Sequence, residues 1–201
     1  MSKQGEHYFT EKPLSNIREE KFSVTIRGQR IDITSASGIF SIKELDFGTR
    51  LLIENAHIKG SVLDLGCGYG IIGIAIKKFY PESDVWMCDI NERAVRCAKD
   101  NCAKNNVECH VLKSDLFSNA ELHNKKFDTI LTNPPFSAGK ILCKEFIRQS
   151  RDHLNDEGLL QLVAPHNKGG ESLKKSMLDV YGTVGELAKK SGYRVYISVK
   201  R

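Results

Sequence analysis

The chain has six cysteines among its 201 residues, but no C-x-x-C pair and no histidine at zinc-ligand spacing from any of them. That absence excludes a zinc ribbon or a thioredoxin-like redox pair. Cys67, Cys88, Cys97, Cys102, Cys109 and Cys143 read instead as buried free thiols, and no metal site is expected. No apolar run reaches the ~20 residues of a membrane span. The opening "MSKQGEHYFTEKP" is polar and lacks the apolar core of a signal peptide. These absences place the protein in the cytoplasm by expectation. Internal repeats, low-complexity segments and long charge blocks are missing too, and the net charge of +5 is mild. It permits a polyanionic partner without demonstrating one.

What is present fits one α/β domain of ordinary composition, 40% apolar and 27% charged. "FSVTIR" (22–27), a turn at Gly28-Gln29 and "RIDIT" (30–34) alternate apolar and polar residues, predicting a hairpin with one buried face. "RLLIENA" is helical in pattern. From residue 61 strands and helices alternate. Strands are expected at 61–66, 84–90, 107–113, 126–133 and 159–165, and helices at 71–79, 92–105, 138–153 and 170–180. Asn91 is the N-cap of the second of these helices. A final antiparallel pair turns at Ser191-Gly192. This order predicts an α/β, doubly wound, mostly parallel sheet of seven strands with a C-terminal antiparallel strand, preceded by a small β-hairpin. Residues 1–45 form the N-terminal extension and 46–201 the catalytic core of a single domain by this reading. Ligands of such sheets bind beyond the carboxyl ends of the strands.

The first core strand runs into "LDLGCGYGIIG". Gly66, Gly68 and Gly70 alternate at the strand-to-helix turn, where glycine lets a ligand approach the backbone. Gly68-x-Gly70-x-x-Gly73 also matches the dinucleotide fingerprint, with Asp89 about twenty residues on. An acid inside the turn, Asp64, sits poorly beside a pyrophosphate but well beside a cationic amino group. Asp89 can accept both hydroxyls of a ribose, and Ser114-Asp115-Leu116 can supply an acceptor for an adenine amino group. Three acids at successive strand ends fit S-adenosylmethionine better than NAD. Ile90, beside Asp89, and Cys67, within the glycine loop, complete the expected cofactor contacts.

The stretch "TNPPF" follows the fourth core strand. A double proline ends a strand, because neither nitrogen donates to the sheet. It explains neither Asn133 before it nor Phe136 after it. With "VLDLGCGYG", "DINERA", "SDLF" and "NPPF" in order across residues 61–136, the sequence resembles the class I S-adenosylmethionine-dependent methyltransferases. In that class the Asn-Pro-Pro-aromatic motif marks transfer to a planar amino nitrogen. The Asn133 side-chain oxygen and the Pro134 carbonyl each accept a hydrogen from such an NH₂, Pro135 fixes the turn, and Phe136 stacks on the base. No strong base is required, because the sulfonium leaving group is already activated; Asp46 is a candidate to help the proton leave.

Gly38-Ile39-Phe40-Ser41 followed by Leu45-Asp46-Phe47-Gly48-Thr49-Arg50-Leu51-Leu52 resembles the segment before the cofactor loop in the small-subunit ribosomal RNA guanine-N2 methyltransferases. "HYFTEKP" is similar to the start of their single-domain members. The resemblance implies that this segment folds over the methionine end of the cofactor, through Thr49, and toward the target base, through Phe40 and Asp46. It implies methylation of guanine N2 in ribosomal RNA, free or in the small subunit, by a monomer or homodimer. Adenine N6, protein glutamine, and a cofactor-binding assembly factor without catalysis stand as alternatives. Larger members carry a degenerate N-terminal domain for which this chain has no room. Many single-domain relatives have Ile-Arg where this chain has Phe136-Ser137. Lys12, Arg30, Lys140 and Lys168 are the expected cations around an RNA entrance.

Overall fold

The computed structural model describes Glu11, Asn16 and residues 18–40 and 43–201, Ser137 by its backbone only. A hairpin, β1 (Glu19–Ile26) and β2 (Gln29–Ala36), comes first. Its turn is Arg27–Gly28, one residue earlier than the sequence pattern suggested. Both residues have positive φ, 47° and 75°, the geometry that matches a two-residue loop to the twist of the strands. There follow α1 (Phe47–Asn55), β3 (Val62–Leu65), α2 (Ile71–Phe79), β4 (Val85–Asp89), α3 (Glu92–Lys104) and β5 (His110–Lys113). The chain then forms α4 (Ala120–His123), β6 (Phe127–Thr132), α5 (Lys140–Asp152), β7 (Leu154–Pro165), α6 (Gly170–Tyr181), β8 (Gly185–Lys190) and β9 (Tyr193–Val199).

Seven strands make one sheet in the order β5-β4-β3-β6-β7-β9-β8. β5 to β7 run parallel, and β9 lies antiparallel to both of its neighbours. The expected seven-stranded, mostly parallel sheet with its terminal antiparallel strand is the one observed. The chain moves outward from β3 to β5 and then returns to β6. The topological switch point therefore lies between the carboxyl ends of β3 and β6, where the glycine loop and Asn133 emerge.

Three local expectations change. Residues 107–109 are not strand: Asn106 has φ 53° and Val107 N–H donates to the Cys102 carbonyl, so this stretch closes α3 before β5 begins. β7 starts at Leu154 rather than 159, bending through a register shift with Glu157 at φ 59°. The short helix α4 had too few residues for a periodicity to show; Asn119 caps it through Glu121 N–H.

Alternation along the buried strands sorts side chains into two layers. Val62, Val85, Met87 and Leu131 face α1, α2, α3 and the hairpin, whereas Leu63, Leu65, Trp86 and Ile130 face α5 and α6. Ile26, Ile31 and Ile33 of the hairpin belong to the first layer. The hairpin's outer edge would leave unpaired backbone groups, and α3 satisfies them with two asparagines. Asp32 N–H donates to Asn105 Oδ1 at 3.0 Å and Asn105 Nδ2 to Asp32 O at 2.7 Å. Thr34 N–H donates to Asn101 Oδ1 at 2.8 Å and Asn101 Nδ2 to Thr34 O at 2.9 Å. The spacings match: four residues of helix rise ~6 Å, and two residues of strand rise ~6.6 Å. Asn101 Nδ2 also reaches the Tyr69 carbonyl at 2.9 Å, tying the hairpin to the glycine loop.

Candidate functional site

A cavity of about 1060 Å³, open mouth included, lies over the carboxyl ends of β3, β4, β5 and β6. Its floor is the loop Gly66-Cys67-Gly68-Tyr69. Gly68, at φ 56°, gives its N–H to Asp89 Oδ2 at 2.8 Å, and among the described residues a Cβ there would meet only Ile39, 3.9 Å away. Gly70, at φ 88°, starts α2, and a Cβ on it would lie 3.0 Å from Ala98. Gly70 shapes the turn from outside the cavity wall rather than lining it. Cys67 lines the floor, its thiol buried and pushed well above the ordinary thiol range by burial. Its thiol donates to the Gly68 carbonyl, at 3.6 Å, and stays an unreactive wall group.

The acids occupy different depths. Asp64 points to the hairpin-side layer under α2 and does not line the cavity, a correction to the direct contact expected from sequence. Its Oδ2 accepts from Gly73 N–H at 3.0 Å, while Oδ1 is buried without a hydrogen-bond partner among the described residues. Burial pushes this carboxyl up to about 7, against the Gly73 hydrogen bond and with help from the nearby Asp89 charge. Asp89 does line the cavity. Its oxygens accept from Gly68 N–H and, at 2.9 Å, from Asn91 N–H. Burial raises its carboxyl above the usual range and these backbone donors oppose that. Each oxygen keeps a lone pair for a ligand hydroxyl. Ser114, Asp115, Leu116 and Ile90 also line the cavity. Ser114 Oγ is committed to Asn119 N–H at 3.1 Å, so Asp115, exposed at the rim, is the freer acceptor of the pair. Leu116 holds φ 49°, a strained value for a leucine and one that recurs at ligand sites.

A buried, half-satisfied carboxylate behind a glycine loop, a second acid at the next strand end and a third at the following one match the groups of S-adenosylmethionine. Asp89 and Asp115 present acceptor oxygens to the cavity, whereas Asp64 stands behind its wall.

Asn133, Pro134, Pro135 and Phe136 close the cavity on the β6 side. Asp46 caps α1: its Oδ2 accepts from Thr49 N–H at 2.8 Å and from Thr49 Oγ1 at 3.1 Å. The same Oδ2 accepts from Asn133 Nδ2 at 3.1 Å, and Thr49 Oγ1 accepts from Asn133 Nδ2 at 2.9 Å. Both donors of the amide are thereby engaged, so the network itself fixes which end is nitrogen. The end left over is Oδ1, an acceptor. Among the described residues nothing donates to the Pro134 carbonyl, whereas the Pro135 carbonyl accepts from Ala138 N–H. Thr49 thus lines the cavity and also holds Asn133. Asp46, expected beside the departing proton, is a holder of the amide.

A shallow groove leads away from the mouth, lined by Phe40, Glu44, Leu45, Asp46, Phe47 and Arg50. Phe40, 40% exposed, borders both cavity and groove. The expected RNA cations scatter. Lys12, with Ser41 and most of "HYFTEKP", lies outside the described residues. Arg30 is engaged with Asp32 and Ser23 on the hairpin. The adjacent turn residue Arg27 touches Tyr80 and the Glu54 carbonyl, at the helix ends remote from the glycine loop, so Arg30 is not at the mouth. Lys140, the first residue of α5, and Lys168, in the turn after β7, are exposed and do not line the cavity. Among the lining residues that sequence reading missed are Tyr69, Ala94, Leu142 and Phe146. Apolar wall residues carry no motif; only the helical periodicity around Ala94 hinted at one of them.

The profile of the methyltransferase small domain family matches residues 30–197. The chain is 37% identical over 195 residues to the uncharacterized Bacillus subtilis protein YbxB, covering 95% of this chain and 96% of that one. It is 38% identical over 173 residues to the ribosomal RNA small subunit methyltransferase C of Haemophilus influenzae, covering 83% of this chain and 52% of the relative. Among solved structures, the Thermus thermophilus 16S rRNA N2 guanine methyltransferase RsmC, in complex with AdoMet and guanosine, superposes with a TM-score of 0.80 at 25% identity. That match covers 94% of this chain and 52% of RsmC. The chain thus spans about half the length of the RsmC relatives it matches. With a family match across most of its length and a cavity whose acids suit the cofactor, the chain belongs to the methyltransferase small domain family and has the S-adenosylmethionine-dependent methyltransferase fold.

Proposed function

We propose that this protein methylates the exocyclic N2 of a guanine in ribosomal RNA. The observation that carries the reading is the orientation of Asn133. Asp46 and Thr49 take up both amide hydrogens, and among the described residues neither the amide oxygen nor the carbonyl of the following Pro134 has a donor. Two acceptors side by side select a planar NH₂ and draw its hydrogens into the plane of the turn, which leaves the nitrogen lone pair facing the cavity. When bound, S-adenosylmethionine supplies a methyl group on an already activated sulfur. The chain's task is then positioning, and most of the acceleration comes from holding the nitrogen in line. Phe136 and Phe40 flank the place of the base, where stacking contributes roughly 1–3 kcal/mol. A guanine inside a helix cannot reach this turn, so the substrate presents the base unstacked or flipped.

The relatives that are ribosomal RNA methyltransferases by name support guanine N2 over other amino nitrogens. The test uses S-adenosylmethionine labelled in the methyl group with unmodified ribosomal RNA, small subunits and a protein extract, followed by digestion and separation of nucleosides. Label in N2-methylguanosine is expected. Label in N6-methyladenosine or in protein moves the target, and cofactor binding without any labelled product removes catalysis from the reading.

A further inference from the structure

The strand order leaves part of the functional rim unused by the cofactor. The acids that answer the cofactor belong to β3, β4 and β5 and their following turns, and the amino-group acceptors follow β6. Beyond β6 the same rim continues through the end of β7, the start of antiparallel β9 and the end of β8, because Pro165 pairs with Tyr193 and Tyr193 with Lys190. At ~4.8 Å per strand, these ends lie roughly 5–15 Å from the end of β6.

They carry exposed cations. Lys168 follows β7, and Lys189 and Lys190 end β8; none has a carboxylate partner among the described residues. The two turns are joined by His166 N–H donating to the Gly192 carbonyl at 2.8 Å, so the three lysines gather at one end of the sheet, Lys189 opposite Arg194 on one face and Lys190 on the other. Neither turn contains an acid, and Glu171 follows the first of them at the start of α6. Glu186 of β8 is already taken by Lys174 at 2.6 Å and Arg194 at 3.5 Å. Between this patch and the mouth stand two rings. Phe47 and Tyr193 lie 5.5 Å apart, tilted by 54°, with Phe47 37% exposed along the groove that begins at Phe40. Lys190 stands directly opposite Tyr193 in the ladder, on the same face of the sheet.

We propose that the 166–168 and 189–193 turns, with the Phe47–Tyr193 pair, form the track for the single-stranded RNA flanking the target guanine. This rests on the assignment of RNA as the substrate. The lysines hold phosphates and the rings stack a neighbouring base, a combination suited to single strands. The shape also fits the topology: with the cofactor across β3 to β5, the substrate's continuation has the β7–β9–β8 side left to it.

The test compares wild type with the triple variant Lys168→Gln/Lys189→Gln/Lys190→Gln on unmodified ribosomal RNA over a range of salt. The expected result is a KM for RNA raised at least tenfold near physiological salt. The slope of log affinity against log salt should shrink by about 2, at about 0.7 for each phosphate that a lysine no longer neutralises. Turnover at saturating RNA and cofactor affinity should hold. Wild type that methylates no RNA removes the RNA reading itself. An active wild type beside a variant with unchanged KM and salt slope removes only the track. Wild-type behaviour of the variant on naked RNA, with a loss confined to intact subunits, assigns the patch to a ribosomal protein and overturns the RNA assignment. Independently, cross-links from 4-thiouridine placed beside the target guanine should fall in 166–168 and 189–193; cross-links confined to hairpin residues 19–36 or to α5 overturn the proposal.

Discussion

The two halves of the rim, β3–β4–β5 and β6–β7–β9–β8, are built from the same strand ends and do opposite electrostatic work. The first half concentrates acids: Asp64 buried, Asp89 in the wall, Asp115 exposed. The second offers neutral acceptors at Asn133 and Pro134, aromatic rings, and then the lysines of the β7 and β8 ends. A sulfonium cofactor with an ammonium group and a polyanionic substrate need such a division, since the acids that attract the first repel the second. The one acid shared across the boundary, Asp46, accepts hydrogen bonds from Thr49 and Asn133.

The sharpest way to break the comparison is to remove the acceptor at the boundary. Asn133→Ala should cut turnover by about 100-fold or more, the scale seen when one pre-placed polar group is removed from a reacting centre. Cofactor-induced thermal stabilisation should survive it. Undiminished turnover would take Asn133 out of the mechanism.

The next effect belongs to the acid half. Burial raises the Asp64 carboxyl to about 7 from a free value near ~3.9. A raised value in the folded state means a stability contribution that is full below about pH 4 and is lost as pH rises through about 7. A bound ammonium demands the carboxylate, so cofactor affinity should strengthen from pH 6 to pH 8. Asp64→Asn should weaken the cofactor about 10-fold at pH 8, the scale of a lost charge attraction acting through the wall rather than of a direct hydrogen bond, and flatten that pH dependence. Calorimetry at three pH values checks this; an affinity indifferent to both pH and the substitution detaches Asp64 from the cofactor.

Asp46→Asn tests the boundary more gently. An amide at position 46 no longer dictates which way the Asn133 amide faces, and turnover should fall about tenfold with cofactor affinity little changed. A defect seen only in cofactor affinity would make Asp46 part of the acid half instead. The smallest expected effect comes from behind the loop. Asn101→Ala leaves Thr34 N–H and the Thr34 and Tyr69 carbonyls short of partners, costing about 2–3 kcal/mol of stability. Because Tyr69 belongs to the glycine loop, cofactor affinity should drop a fewfold while the KM for RNA holds. Chemical denaturation with a cofactor titration reads both.

The strand and helix order was legible because buried parallel strands and amphipathic helices must show their periods, and the places of Gly66, Gly68 and Asp89 at the cavity were legible because a positive-φ turn demands glycine and an acid at a strand end has to face an opening. The role of Asn101 and Asn105 was not. Two asparagines four residues apart in α3 look like weak helix formers until an edge strand with a matching rise lies against them. Asp46 carried the right motif but an incomplete role, since a helix cap and an amide holder use the same carboxylate oxygens. Arg30 failed for a related reason: position in sequence says nothing about which end of the sheet a hairpin turn reaches.

By itself, the sequence determined the class of fold, the acids at three successive strand ends and the Asn-Pro-Pro-Phe turn, because local backbone geometry and side-chain chemistry are written residue by residue. Only the tertiary structure decided that Asp64 sits behind the cavity wall, that Asn133 presents its oxygen, and that the β7 and β8 ends share one rim with the cavity. Each of those depends on which strands are neighbours, and strand neighbours are chosen by burial and hydrogen bonding across the whole sheet rather than by any one segment.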